Sequence, residues 1–206
     1  EWWQTLQSSD AIAAQWKESY QAFILNYAKT AEIVKAEWLI IGGKAILPFY
    51  EKPLPLDGSA PTLSTTNLAF WQELIGDIRA AYSGQIFWAA HINETPDPIP
   101  EFISALDGIY LMVDTPLAST TSAPSEEITW EFTNLMDNQI YEIYRSTGKP
   151  VFLALAYPSV AGGAQGCHLV NQTCANDGLF LPEELEGRPM DLEEQYTIYS
   201  SILPTI

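Results

Sequence analysis

Positive charge is scarce in this chain: 9 Lys and Arg stand against 26 Asp and Glu, a formal charge of −17. Such a field repels phosphate backbones and anionic lipid, so nucleic acid and acidic membrane surfaces are excluded as partners. A neutral ligand such as a sugar is compatible with it. Uninterrupted apolar runs of about 18 residues are absent, so no segment reads as a membrane span. No signal peptide is visible, and the opening Glu1-Trp2-Trp3 suggests a processed or truncated product. Glycine-rich phosphate cradles are missing too. Gly42-Gly43 lacks the GxGxxG spacing and no GxxxxGK[ST] occurs, which removes the dinucleotide and nucleotide readings and leaves no cofactor implied.

Cysteine is nearly absent as well. Cys167 and Cys174 are the two present, in a Gly/Asn-rich stretch. A short-range disulfide closing one loop is the preferred reading, with two free thiols as the alternative. A metal site is not expected, because CxxC is absent and His168 alone cannot complete one. A bridge here implies an oxidising compartment. The sequons at Asn93 and Asn171 point the same way, to an extracellular or cell-surface protein.

What is present is a globular composition, 47% apolar and 12% aromatic, sufficient for a single domain over residues 1–206. The chain alternates helical periodicity with short apolar runs. Trp16, Tyr20, Phe23, Tyr27, Ala31 and Val34 recur at helical spacing, with Asp10 as the expected N-cap. Trp38–Ile41 before Gly42-Gly43 reads as a buried parallel strand, and residues 51–66 as a loop. A helix from near Asn67 should bury Phe70, Trp71, Leu74, Ile75, Ile78 and Tyr82, with Gly84 closing it. Further strands are expected at Ile86–Ala90, Ile109–Val113 and Val151–Ala156. Between them fall a short helix at Pro100–Leu106 and a longer one at Ser125–Arg145. A loop of about 30 residues then precedes a last helix opened by the capping box Asp191-x-x-Glu194 and carrying Tyr196, Tyr199 and Leu203. The aromatics on the helices are assigned to the core.

Alternating strands and helices predict an α/β fold with a parallel sheet, either doubly wound or a (β/α) barrel. Ligands in both bind at the carboxyl ends of the strands, where Lys44, His91, Asp114 and Tyr157 fall.

Several segments in order resemble the clan A glycoside hydrolases, particularly mannanase- and galactanase-like barrels. Ser19-Tyr20-Gln21-Ala22-Phe23-Ile24 with Tyr27-Ala28 resembles the helix before their fourth strand, and Ile41-Gly42-Gly43-Lys44 falls where they carry Ile-Gly-Asn/Thr-Glu. Phe70-Trp71-Gln72-Glu73-Leu74-Ile75 through Tyr82-Ser83-Gly84 is similar to the next helix. Leu106-Asp107-Gly108-Ile109 and Thr115-Pro116-Leu117 are similar to the sixth strand and its exit. Lys149-Pro150-Val151 and Ala156-Tyr157-Pro158-Ser159 resemble the seventh strand, usually ending Thr-Glu-Ile-Gly-Tyr-Pro-Ser. Gln195 and Tyr196 fit the helix after it.

The resemblance implies strands four to seven of a (β/α)8 TIM barrel, an incomplete barrel whose open face a partner chain, a homo-assembly or further sequence must cover. It also implies a catalytic glutamate at each of two strand ends, and there this chain departs. Lys44 occupies the first position and Ala154 the second. A retaining glycosidase needs two carboxyl groups about 5 Å apart. No Asp or Glu lies between Trp38 and Tyr50 or between Lys149 and Asn176, so a small shift in alignment restores neither.

Asp114 is the remaining catalytic candidate, with Glu94 and Asp97 behind it; its plainer role is an ion pair with Lys44 or loop capping. His91 reads as a catalyst or, more simply, a hydrogen-bonded packing residue. Trp88 and Tyr157 offer faces on which a sugar ring stacks, with core packing the alternative for Trp88. A catalytically degenerate, glycan-binding or structural module follows. A hydrolase with relocated carboxylates and a subunit of a surface assembly are the alternatives.

Overall fold

A computed structural model describes residues 10–43, 46, 62–92, 97–165 and 189–206. In chain order the regular elements are α1 (Asp10–Val34), β1 (Trp38–Gly42), α2 (Thr65–Ala81), β2 (Gln85–Ile92) and a 3-10 turn at Glu101–Ala105. β3 (Gly108–Val113), α3 (Ser125–Leu135), α4 (Tyr141–Thr147), β4 (Val151–Leu155) and α5 (Leu192–Ile202) follow. The sheet order is β1-β2-β3-β4, and β1 runs parallel to β2 with Ile41 opposite Trp88. Sequence neighbours are spatial neighbours throughout, as the alternating pattern predicts. The chain divides into two compact units, residues 1–90 with 98–110 and residues 91–97 with 111–206.

In the first unit, α2 is set by its ends. Ser64 Oγ accepts the Asn67 N–H at 3.2 Å, so the helix starts two residues before the expected Asn67 and shortens the expected loop. Its inner face is the expected one: Trp71, Leu74, Ile75 and Ile78 are buried. Trp71 is the hub of an aromatic cluster, with ring centroids 5.8 Å from Tyr20, 5.4 Å from Trp88 and 5.1 Å from Phe102. Gly42 has φ of +81°, and a Cβ there would stand 2.5 Å from the Trp88 ring, so only glycine ends β1 at this place. Gly84 does not close α2; Tyr82 does, and Gly84 instead clears room for the Tyr82 ring.

Two readings of this unit need correction. The buried face of α1 is Tyr20, Ile24, Ala28 and Ala31, whereas Phe23, Tyr27 and Val34 are exposed. β1 is not buried throughout, because an edge strand covered on one face alternates. Leu39 and Ile41 point in, while Trp38 and Ile40 stay partly exposed.

Burial also governs a titration. Loss of water pushes the Tyr20 hydroxyl up to about 12, partly offset by the Gly42 N–H it accepts at 3.3 Å. Folding therefore favours the protonated phenol. That stabilisation is complete below the ordinary tyrosine value near 10 and is lost as pH rises from there through about 12, at ~1.4 kcal/mol per unit. Denaturant titrations between pH 9 and 12 are expected to show falling stability. Phenolate absorbance should show Tyr20 ionising late, and Tyr20→Phe should flatten the slope.

In the second unit, the expected 125–145 helix forms with a π turn at Met136–Ile140 between α3 and α4. Gly148 ends it in the left-handed conformation, φ +63°. β4 is only partly buried and Phe152 is exposed on this edge strand. α5 begins where expected, with Asp191 Oδ1 accepting the Glu194 N–H at 2.8 Å. Its buried face is Glu194, Ile198, Ser201 and Ile202, so Tyr196 and Leu203 point outward against expectation. Trp130, Tyr141 and Tyr144 are exposed too, so the helix aromatics are not all core. No helix among the described residues is long and apolar enough to cross a membrane.

Candidate functional site

The carboxyl ends of β2, β3 and β4 in the second unit bring together His91, Asp114 and Tyr157. Each arrives there for a local reason. His91 is the penultimate residue of β2, and its backbone is clasped by Asp97. The Asp97 carboxylate accepts the His91 N–H at 2.9 Å, and the Asp97 N–H donates to the His91 carbonyl at 2.8 Å. Asp97, considered above as a reserve carboxylate, is thus engaged with the His91 backbone. Asp114 follows β3 directly, and its N–H continues the ladder to the Ile92 carbonyl at 3.3 Å, which Thr115 Oγ1 also reaches at 3.2 Å. Tyr157 follows β4. Its hydroxyl donates to the Thr115 carbonyl at 3.0 Å, and its own carbonyl accepts from Gln195 Nε2 at 3.0 Å.

His91 Nε2 and Asp114 Oδ1 lie 2.8 Å apart, with Asp114 only 1% exposed. They are close enough for an ion pair, and no other hydrogen-bond partner is found for either atom among the described residues. Asp114 also acts on its other neighbour. Burial first, then the Asp114 charge, then Tyr199 push the Tyr157 hydroxyl well above the ordinary tyrosine value, so it stays a donor.

Asp114 faces His91, while Lys44 lies outside the described residues, as do Asn93, Glu94, Cys167, His168, Asn171 and Cys174. Trp88 is buried in the aromatic cluster of the first unit. Its faces are met by Trp71 and Phe102, so core packing, not sugar stacking, is the role its surroundings support. Tyr157 is likewise buried, leaving only its hydroxyl's hydrogen bond as polar function. Ala154 sits on β4, partly exposed, with a methyl group and no acid chemistry.

Glu194 is a buried residue that sequence reasoning does not place at the site. The capping box expected at Asp191-x-x-Glu194 forms on one side only, because the Asp191 N–H donates to the Ser159 carbonyl and not to the Glu194 carboxylate. It is buried and accepts the N–H groups of Gly162 at 2.8 Å and Ala164 at 3.3 Å. The Ala164 carbonyl in turn accepts the Leu117 N–H at 2.7 Å, and Gln165 Nε2 donates to the Ser119 carbonyl at 3.1 Å. Glu194 therefore anchors the segment after β4 while that segment holds the one after β3. The sequence signal was Gly162-Gly163 opposite an acidic helix start, too weak to name a pair.

No family model matches the chain, and no curated protein matches it. Among solved structures, a GH113 β-1,4-mannanase in complex aligns with a TM-score of 0.58 at 20% identity, over 92% of this chain and 47% of that one. The GH113 β-mannanase AaManA from Alicyclobacillus acidocaldarius, in complex with ManMIm, aligns with a TM-score of 0.56 at 17% identity, over 94% and 48%. The fold is an α/β one with a parallel sheet, similar to about half of the barrel in these structures. A further GH113 β-1,4-mannanase structure agrees, with a TM-score of 0.55 at 21% identity. The chain spans about half the length of the structures it matches. The α/β class and parallel sheet expected from the sequence are thus observed.

Proposed function

We infer that the chain is a glycoside hydrolase-like module that binds carbohydrate without hydrolysing it by the two-carboxylate route. One observation carries this reading: the carboxylate that directly follows a strand in the second unit, Asp114, is buried against His91, while β4 offers Ala154 where the resemblance puts a glutamate. With Asp114 enclosed and Ala154 at the second position, the close pair of a retaining enzyme and the wider pair that positions water in an inverting one both lose a member. Likeness of fold to mannanases supports a β-linked glycan as the ligand class, and the −17 charge favours a neutral one. An extracellular setting belongs to the same proposal, as does a disulfide between Cys167 and Cys174, and the sequons at Asn93 and Asn171 support it.

The contact of His91 with Asp114 favours a second reading, a hydrolase with relocated carboxylates in which this pair moves the proton. Partly exposed Trp38 and Ile40 on one edge strand and Phe152 on the other favour a module that a partner chain completes. Calorimetry against a panel of β-linked oligosaccharides, β-1,4-mannooligosaccharides included, tests the leading reading. Saturable binding with the glycan recovered intact is expected; no heat with any member of the panel would remove the carbohydrate role.

A further inference from the structure

Asp114 is pressed against His91, yet little at Asp114 itself holds it there. Among the described residues Asp114 Oδ1 has no hydrogen-bond partner beyond the His91 contact. Its backbone is only loosely moored to β2. The Asp114 N–H and Thr115 Oγ1 share the Ile92 carbonyl at 3.3 and 3.2 Å, both beyond the usual reach of such bonds. Further anchors lie along the next five residues, and they come from the segment after β4. The Tyr157 hydroxyl donates to the Thr115 carbonyl at 3.0 Å and the Leu117 N–H to the Ala164 carbonyl at 2.7 Å. Gln165 Nε2 donates to the Ser119 carbonyl at 3.1 Å, and Glu127 of α3 holds Ser119 as well. Leu117 is fully buried, so the strap from Asp114 to Ser119 is fixed at its middle.

The segment after β4 is itself a tight turn. Gly162 has φ of +82°, and a Cβ at Gly163 would stand 2.6 Å from the Pro158 carbonyl oxygen. What holds the turn comes from α5. Glu194, buried in the first turn of that helix, accepts the N–H groups of Gly162 and Ala164. Ala164 is the link, because its N–H is bound from α5 while its carbonyl binds the strap that carries Asp114. We propose that Glu194 is a positioning residue for the strand-end cluster, setting Asp114 against His91 through Ala164 and Leu117. The first turn of α5 is then a lever, and whatever displaces it loosens the His91 contact. This coupling stands apart from carbohydrate binding; its use there rests on the glycan-binding reading.

Heteronuclear NMR of the full chain labelled at histidine reads the contact at the His91 ring, with His168→Gln separating the two histidines. Asp114→Asn supplies the signal of a His91 ring that has lost its carboxylate. Glu194→Gln is expected to move the His91 ring signals toward that position. It should also speed hydrogen exchange of the Leu117 amide about tenfold, although Leu117 does not touch Glu194. Glu194→Asp keeps the charge on a shorter stem and should fall between, which keeps the test open if the glutamine variant does not fold. Ile198→Val removes a methyl group from the same buried helix face without altering a bond of Glu194, and should leave both readouts at their wild-type values. His91 signals that stay in place in both Glu194 variants would overturn the proposal. An equal shift in Ile198→Val, the mark of general loosening, would overturn it too. Coupling in a chain that gives no heat with any glycan would support the lever and sink the carbohydrate reading alone.

Discussion

Replacing Trp71 with alanine is expected to cost about 3–5 kcal/mol and to bring the first unit close to unfolding. Trp71 is fully buried and is the one ring in contact with Tyr20, Phe70, Trp88 and Phe102 together. Those four come from α1, α2 itself, β2 and the turn at Glu101–Ala105, so one truncation opens a void that helix, strand and turn all line. The surroundings cannot simply close over it, because β2 is held in register by β1 and Gly42 is already packed against Trp88. Trp71→Phe keeps a ring in the cluster and should cost about half as much or less. Urea unfolding followed by near-ultraviolet circular dichroism measures both. A loss below about 1 kcal/mol for Trp71→Ala would mean that the cluster does not hold this unit together.

In the second unit the largest effect is expected at Glu194. Glu194→Ala removes a buried acceptor and leaves the N–H groups of Gly162 and Ala164 facing a cavity, a cost of about 3 kcal/mol. Water entering that cavity would recover part of it. Glu194→Gln keeps the shape and one acceptor oxygen but turns an amide NH2 toward a backbone donor, so it should fall between alanine and wild type. Because the segment after β4 holds the one after β3 through Ala164 and Leu117, limited proteolysis should cut near Val160–Gln165 much faster in the alanine variant. Unchanged proteolysis with lowered stability would show that Glu194 serves α5 alone.

The strands were legible because burial leaves short runs of Ile, Val, Leu and aromatic residues bounded by glycine, and the order of strands and helices sufficed for the parallel sheet. Sidedness was harder. The stripe read along α1 from Trp16 to Val34 falls between two real faces, one packed and one exposed, since a helix with apolar residues over half its girth offers a continuum of plausible stripes. Tyr196 on α5 and Leu203 just after it misled for the opposite reason: hydrophobic type outweighed the pattern of Glu194, Ile198, Ser201 and Ile202, half of which is polar.

At the site, His91, Asp114 and Tyr157 were all identifiable, because strand ends are where the fold puts ligands. Their partners were not. Adjacency of strand ends decides such contacts, and β2 beside β3 brings His91 against Asp114, while Lys44 lies outside the described residues. Glu194 shows the same limit. A capping signal located the residue correctly, while three-dimensional proximity gave its carboxylate to Gly162 and Ala164.

The central claim, a glycosidase-like fold without the two-carboxylate machinery, is tested most directly by product analysis on β-1,4-linked mannan and related β-linked glycans, with the wild-type chain and Asp114→Asn side by side. No released sugar above the substrate's own background is expected from either chain. Hydrolysis by the wild type that disappears in a folded Asp114→Asn variant would contradict it and make the buried His91 and Asp114 pair the working acid and base.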